Sequence, residues 1–67
     1  MLQITVNGDV VTVPDPCTVD DLLERYDLGG QACAVEINTR VVPKARHVTH
    51  RLSGGDVVEL VTMVGGG

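Results

Sequence analysis

Only one segment of this 67-residue chain has the periodicity of a helix, and this limits the folds open to it. Its apolar residues recur at spacings of three and four, which places them on one helical face: Val19, Leu22, Leu23 and Tyr26. Thr18 is a suitable N-cap, with Asp21 three residues later in a variant of the capping box. Gly29-Gly30 is expected to end the helix. A single helix must then cover a sheet built from the rest of the chain.

The other apolar segments are short and rich in β-formers. They predict strands at residues 2–6, 10–13, 33–37, 41–42 and 57–64. Asn7-Gly8 joins the first two as a hairpin, since both residues tolerate positive φ. Asn38-Thr39 is predicted to turn the chain from the third strand into the fourth. Alternation places Ile4 and Val6 on the core face, together with Val11 and Val13 of the second strand.

The resulting order is β-β-α-β-β-β, which favours a β-grasp fold of the α+β class. This ubiquitin-like arrangement is a mixed sheet of four to five strands with one helix packed across it. Its first and last strands lie parallel at the centre. We expect residues 1–64 to form a single domain and residues 65–67 to form a flexible C-terminal glycine tail.

Charge and composition exclude several classes of function. The formal net charge of −4, without a basic patch interleaved with aromatics, argues against nucleic-acid binding. No apolar run is long enough to span a bilayer, and the chain opens without a signal-peptide pattern, which predicts a cytoplasmic protein. Cys17 and Cys33 are expected to be free thiols, the first in a loop and the second as a small core residue.

No constellation of side chains predicts catalysis. His47 and His50 form the only metal-like pair, but a zinc site needs three or four ligands, so both are expected at the surface. Residues 44–53 lack clean periodicity, although Val48 and Leu52 could close the end of the core. The sequence therefore predicts no metal, no bound cofactor and no enzymatic activity.

The unusual chemical group is the C-terminal carboxylate. Three glycines reach roughly 10 Å beyond the last strand and fit a channel too narrow for side chains. The carboxylate of Gly67 is unhindered and ionised at neutral pH.

An apolar surface lies beside this tail. If Val58 and Leu60 face the helix, then Val57, Val61 and Met63 point to the open face of the sheet, which is normally polar. Val61 and Met63 are therefore predicted to form a docking patch for a partner protein.

Several short motifs follow one another along the whole sequence in a specific order and spacing. They are Thr18-Val19-x-x-Leu22-Leu23, Val35-x-Ile37-Asn38, Val42-Pro43-Lys44, Gly55-Asp56-x-Val58 and the terminal Gly-Gly. In these motifs the chain resembles the ThiS-type sulfur carriers of thiamine biosynthesis. Asn38 and Val42-Pro43 favour this family over the related small subunit of molybdopterin synthase.

This resemblance implies a protein co-substrate acted on by partner enzymes. A ubiquitin-activating-like adenylyltransferase would use ATP to adenylate the carboxylate of Gly67. A persulfide sulfur donor would then displace AMP, leaving a C-terminal thiocarboxylate that gives its sulfur to thiazole synthase. The family ends in two glycines, which correspond to Gly66 and Gly67, whereas Gly65 replaces a larger residue. Gly65 and Gly66 would thread the partner's active site.

Two alternatives remain open at this point. One is a sulfur carrier for another pathway, such as molybdopterin or amino-acid biosynthesis. The other is a ubiquitin-like interaction module with an inert tail.

Overall fold

The computed structural model describes residues 1–63 of the chain, and these form five β-strands, one α-helix and one 3₁₀ turn. In chain order they are β1 (Leu2–Val6), β2 (Asp9–Val13), α1 (Val19–Arg25), β3 (Cys33–Ile37), β4 (Arg40–Val42), the 3₁₀ turn (Lys44–Arg46) and β5 (Val57–Thr62). The predicted element order is confirmed. The last strand, predicted to extend to Val64, ends at Thr62, and Val64 lies outside the described residues.

The strands form one mixed sheet in the order β2-β1-β5-β3-β4. β5 lies at the centre, parallel to β1 and antiparallel to β3. In the β1–β2 hairpin Ile4 lies opposite Val11, and in the β3–β4 hairpin Glu36 lies opposite Val41. This is the predicted β-grasp arrangement.

The core lies on one face of the sheet. Its buried side chains are mainly aliphatic and come from every strand and from α1. They are Ile4, Val6, Val13, Cys17, Val19, Leu22, Leu23, Val35, Ile37, Val42, Leu52, Val58 and Leu60. Val11 is half-buried and packs against this cluster. Among residues 1–63, no helix has the length and apolar character needed to cross a membrane.

The start of α1 was predicted correctly and its end was not. Thr18 Oγ1 accepts from the Asp21 N–H at 3.1 Å, and Asp21 Oδ2 accepts from the Thr18 N–H at 3.0 Å, which completes the capping box. The helix ends at Arg25, with Tyr26 as C-cap, so Gly29-Gly30 does not terminate it. Tyr26 is 39% exposed and does not join the buried stripe.

Asp27, the residue after the C-cap, has the backbone conformation that prevents the helix from continuing. Its φ of 57° is in the left-handed region, where aspartate is tolerated better than most residues. The N–H of Leu28 then donates back to the Leu23 carbonyl at 2.8 Å, and that of Asp27 to the Glu24 carbonyl at 3.1 Å. These two bonds form a Schellman motif with aspartate at the position usually taken by glycine.

The segment before β5 also differs from prediction. Leu52 is buried as expected, but Val48 is 64% exposed and His47 is buried. The 3₁₀ turn brings His47 under the end of β4, where Nε2 lies 3.0 Å from the Val42 carbonyl oxygen. Because a carbonyl oxygen only accepts, Nε2 carries the proton and donates. The expectation of a surface histidine is therefore wrong for His47, whereas His50 is half-buried.

Residues 47–52 lack a periodic pattern of apolar residues because backbone hydrogen bonds to the start of α1 determine their conformation. The carbonyls of His47 and His50 accept from the N–H groups of Asp20 and Val19, both at 2.9 Å. Helix N-termini leave such donors without partners inside the helix. This segment satisfies them and closes the open end of the core.

Candidate functional site

β5 delivers the C-terminal segment from the middle of the sheet. Beyond the end of β5, the N–H of Met63 donates to the carbonyl of Ala32 at 3.0 Å. The chain is therefore held against the β3 side up to the last described residue. Gly65, Gly66 and Gly67, which the sequence predicts as the threading and attachment residues, lie outside the described residues.

On the β1 side, an asparagine side chain continues the sheet where the strand stops. The parallel ladder between β1 and β5 has two residue pairs, Thr5 with Val57 and Val6 with Val58, and β1 ends at Val6. Asn7 Oδ1 accepts from the Leu60 N–H at 2.8 Å, and Asn7 Nδ2 donates to the Leu60 carbonyl at 3.3 Å. The amide thus takes the place of a further backbone residue and fixes β5 close to its outgoing end.

A second asparagine holds the beginning of β5. Asn38 Oδ1 accepts from the Val57 N–H at 2.9 Å, and Asn38 Nδ2 donates to Asp56 Oδ1 at 3.0 Å. Asp56 Oδ2 accepts in turn from the Ser53 N–H at 2.8 Å. Both asparagines have positive φ at hairpin turns, 49° for Asn7 and 52° for Asn38. Both asparagines were predicted as turn residues, and no prediction included the side-chain hydrogen bonds by which each holds β5.

The predicted docking patch, Val61 and Met63, lies on the open face at the end of β5. Val61 is 58% exposed and Met63 is 61% exposed, so the outward phase of this strand is confirmed. Ala34 lies directly opposite Val61 in the register. Met63 faces Ala32 in the same way, through their backbone bond. Because alanine has only a Cβ, the two larger side chains rise above Ala34 of β3 and Ala32 just before that strand. Their role in docking stays a prediction.

Next to the patch, two carboxylates lie side by side. Glu36 and Glu59 are directly opposite in the β3–β5 register, and both are exposed. Like charges in this relation destabilise a sheet slightly. A cation on an approaching partner surface would remove that repulsion.

The two cysteines are free, and their surroundings favour protonated thiols. Burial raises the pKa of Cys17, and the nearby Asp21 carboxylate raises it further against a smaller opposing effect of Arg25. Burial also raises the pKa of Cys33, although a hydrogen bond from the backbone of Val61 acts in the other direction. Cys17 is more buried than a loop cysteine is expected to be, because its side chain points into the core. Since the thiolate is the nucleophile, neither thiol is activated for sulfur chemistry.

No metal-binding group emerges in the part of the chain that the structure describes. Residues 1–63 contain no cluster of three or more His, Cys, Asp or Glu side chains able to hold a metal ion. Nε2 of His47 is engaged in its hydrogen bond to the Val42 carbonyl.

Comparison with known proteins agrees with this geometry. The ThiS family model matches residues 2–67. The sulfur carrier protein ThiS of Bacillus subtilis strain 168 is 41% identical over 68 residues, covering 100% of both chains. A thiazole synthase of Paramagnetospirillum magneticum is 30% identical over 66 residues, covering 98% of this chain and 20% of that protein. A crystal structure of the thiamine biosynthesis protein ThiS of Geobacter metallireducens has 31% identity and a TM-score of 0.80, covering 98% of this chain and 100% of that one.

Proposed function

The chain belongs to the ThiS family, and we propose that it works as a sulfur carrier protein of thiamine biosynthesis. In this role the carboxylate of Gly67 is the group that is modified. The observation that carries the proposal is the position of β5, the central strand, which is clamped at both ends and leads directly to the glycine segment.

The chemistry required of the carboxylate explains why a partner enzyme is needed. A carboxylate is a poor electrophile, since an oxide dianion does not leave. When one of its oxygens attacks the α-phosphorus of ATP, pyrophosphate departs and AMP becomes a good leaving group on the acyl carbon. A persulfide sulfur then attacks that carbon and AMP is released. Cleavage of the resulting S–S bond by a thiol leaves the thiocarboxylate.

Apart from the Gly67 carboxylate, the carrier supplies no acid, base or nucleophile to these steps. Both cysteine pKa values are raised, and neither thiol lies in the glycine segment. We therefore propose that the adenylyltransferase and the persulfide donor provide all reacting groups other than the Gly67 carboxylate. We expect this in the cytoplasm, where the activating enzyme has ATP.

Thiazole synthase is the proposed acceptor of the sulfur. Its support is the relative named thiazole synthase, a fifth of whose length matches nearly all of this chain. A carrier-like segment and a synthase within one polypeptide favour direct transfer between the two. A thiocarboxylate sulfur is a competent nucleophile for building a thiazole ring.

The docking patch gives both partners a surface beside the reacting end. Val61 and Met63 offer apolar side chains next to the carboxylates of Glu36 and Glu59. We propose that each partner meets this face with an apolar surface and a neighbouring cation. Gly65 and Gly66 would then pass into the active site.

Intact-mass measurement tests the proposal. The protein is incubated with ATP, the adenylyltransferase and a persulfide source, and its mass should rise by the difference between one sulfur and one oxygen atom. Deleting Gly66 and Gly67 should abolish the gain, and so should adding one residue after Gly67. Gly66→Val should impair loading through steric conflict in a channel built for glycine. Thermal unfolding of each variant controls for loss of the fold.

The outcomes separate the proposal from its alternatives. A native protein that never gains sulfur would be an interaction module with an inert tail. A loaded protein that passes sulfur to another acceptor but not to thiazole synthase would serve a different pathway. Loading of the truncated variant would show that the modified group is not the carboxylate of Gly67.

A further inference from the structure

The positive charges of this acidic protein are concentrated in one short segment. Residues 40–51 contain four of the five Lys and Arg residues and both histidines, but none of the nine Asp and Glu residues. The structure folds this segment around the end of the sheet where β5 begins. The local charge is therefore opposite to that of the rest of the chain.

Three of these cations surround a single concavity. It has a volume of about 630 Å³ and lies between the β3–β4 hairpin, the 3₁₀ turn and the loop that leads into β5. Arg40, Arg46 and Arg51 line it, each from a different part of the backbone. All three are exposed at the residue level, so their guanidinium groups are accessible to a ligand.

The arginines are not neutralised by the carboxylate beside them. Asp56 is the only acidic residue that lines the concavity, and it is buried. Its two oxygens already accept from Asn38 Nδ2 at 3.0 Å and from the Ser53 N–H at 2.8 Å. The side-chain hydrogen bonds found among residues 1–63 include none from the three guanidinium groups.

The concavity is separate from the site of sulfur transfer. It lies at the start of β5, whereas Val61 and Met63 lie at its other end. Six residues of strand separate the two ends by about 20 Å. A ligand held here would not occupy the docking patch.

We propose that this concavity binds a polyphosphate anion, either inorganic or the phosphate chain of a nucleotide. Guanidinium groups bind phosphate oxygens in bidentate fashion, and three of them match several phosphate charges better than one carboxylate. The volume falls in the range of small-molecule sites. An acidic protein surface fits less well, because protein interfaces need an apolar centre and the exposed apolar residues that line the concavity are two, Val41, at 67%, and Pro43.

Binding is tested by titrating ¹⁵N-labelled full-length protein at constant ionic strength and following backbone and arginine Nε–H resonances. The probes are pyrophosphate, tripolyphosphate, ATP and adenosine. The polyphosphates and ATP should shift signals of residues 38–56 in a saturable way, whereas adenosine should not. Similar affinity for ATP and tripolyphosphate identifies an inorganic polyphosphate as sufficient. Markedly tighter ATP binding identifies the nucleotide as the source.

Substitutions locate the site. Arg46→Ala combined with Arg51→Ala should weaken tripolyphosphate binding by about tenfold or more, equivalent to about 1.4 kcal/mol. Arg25→Ala is the matched control, since Arg25 is the one arginine outside residues 40–51, and it should change the affinity less than twofold. Arg25, Arg46 and Arg51 are all exposed, so we expect these variants to fold, and a thermal unfolding curve of each verifies it.

Three results would overturn the proposal. The first is the absence of saturable shifts at millimolar polyphosphate. The second is equal weakening by Arg25→Ala, which would indicate diffuse charge attraction. The third is tighter binding of an oligoglutamate peptide than of tripolyphosphate at matched charge, which would identify an acidic protein segment as the ligand.

Discussion

The clamp between Asn7 and Leu60 can be broken without touching the core. Asn7→Gly removes both side-chain hydrogen bonds to Leu60 and still permits the positive φ of 49° at this turn. Asn7→Ala removes the same bonds and adds the strain of a left-handed alanine. Asn7→Asp keeps the acceptor for the Leu60 N–H and loses the donor to the Leu60 carbonyl. The three variants therefore separate the two bonds from the backbone conformation.

The magnitude follows from the two bonds and their surroundings. A neutral hydrogen bond contributes about 0.5–1.5 kcal/mol net, so the pair contributes about 1–3 kcal/mol. Because Asn7 is exposed, water can replace part of the hydrogen bonding that is lost, which favours the lower half of this range. Asn7→Gly should therefore cost about 1–2 kcal/mol in unfolding free energy. Asn7→Ala should cost about 1 kcal/mol more, because a left-handed conformation is unfavourable for a residue with a Cβ.

Urea denaturation measures the free energies, and hydrogen exchange of the Leu60 amide reports the clamp itself. Exchange at Leu60 should accelerate in the glycine and alanine variants and remain slow in the aspartate variant, which retains the acceptor. The Met63 amide, bonded to Ala32, serves as an internal reference on the other side of β5. A glycine variant that loses less than about half a kcal/mol and keeps slow exchange at Leu60 would refute the reasoning.

Three further predictions concern the core, the docking patch and the thiols. Leu22→Ala should cost about 2–5 kcal/mol because Leu22 is fully buried, whereas Tyr26→Ala should cost less than about 1 kcal/mol; a similar loss for both would contradict the helix boundary found here. Met63→Asp should weaken binding to the adenylyltransferase or to thiazole synthase, measured by calorimetry, without moving the thermal midpoint, and the equally exposed Val48→Asp should do neither. Cys17 should resist iodoacetamide at neutral pH until urea unfolds the chain. Its pKa is raised in the folded state, so stability should fall as the pH passes the ordinary value of 9.0, where the unfolded thiol ionises first, and Cys17→Ala should reduce that fall.

Much of the fold could be predicted because local pattern and tertiary role agree. The alternation in β1 and the spacing of Val19, Leu22 and Leu23 each select a buried face, and all three helix residues are buried. The Asn7-Gly8 turn fixes one hairpin, and Asn38-Thr39 fixes the other, with φ values of 52° and 71°. In these places the residues that determine the backbone conformation are also the ones that pack.

The sequence predictions were wrong or incomplete where hydrogen bonds to backbone groups, and not the periodicity of side chains, determine the structure. Asp27 ends the helix because its N–H and that of Leu28 return to helix carbonyls, a role for which sequence favours the nearby glycines. His47 is buried because its ring reaches the Val42 carbonyl, a contact between residues that no repeating pattern links. Asn7 and Asn38 looked like turn residues, and their second role required knowing which strand lies beside them.

The two asparagine clamps also bear on the proposed carrier function, because they fix the strand that leads to the C-terminal segment. The segment after Met63 has four residues, which at about 3.3–3.6 Å each can span at most about 14 Å. For the proposed function, we therefore expect a partner's reaction centre to lie within that distance of Met63 when the docking patch is engaged. If β5 slipped in its register, the carboxylate would move by the length of the slip. That length would be a substantial part of the reach of about 14 Å, since each residue contributes about 3.3–3.6 Å. Asn7 at one end and Asn38 at the other oppose such slippage, which gives the proposed transfer reaction a fixed starting point.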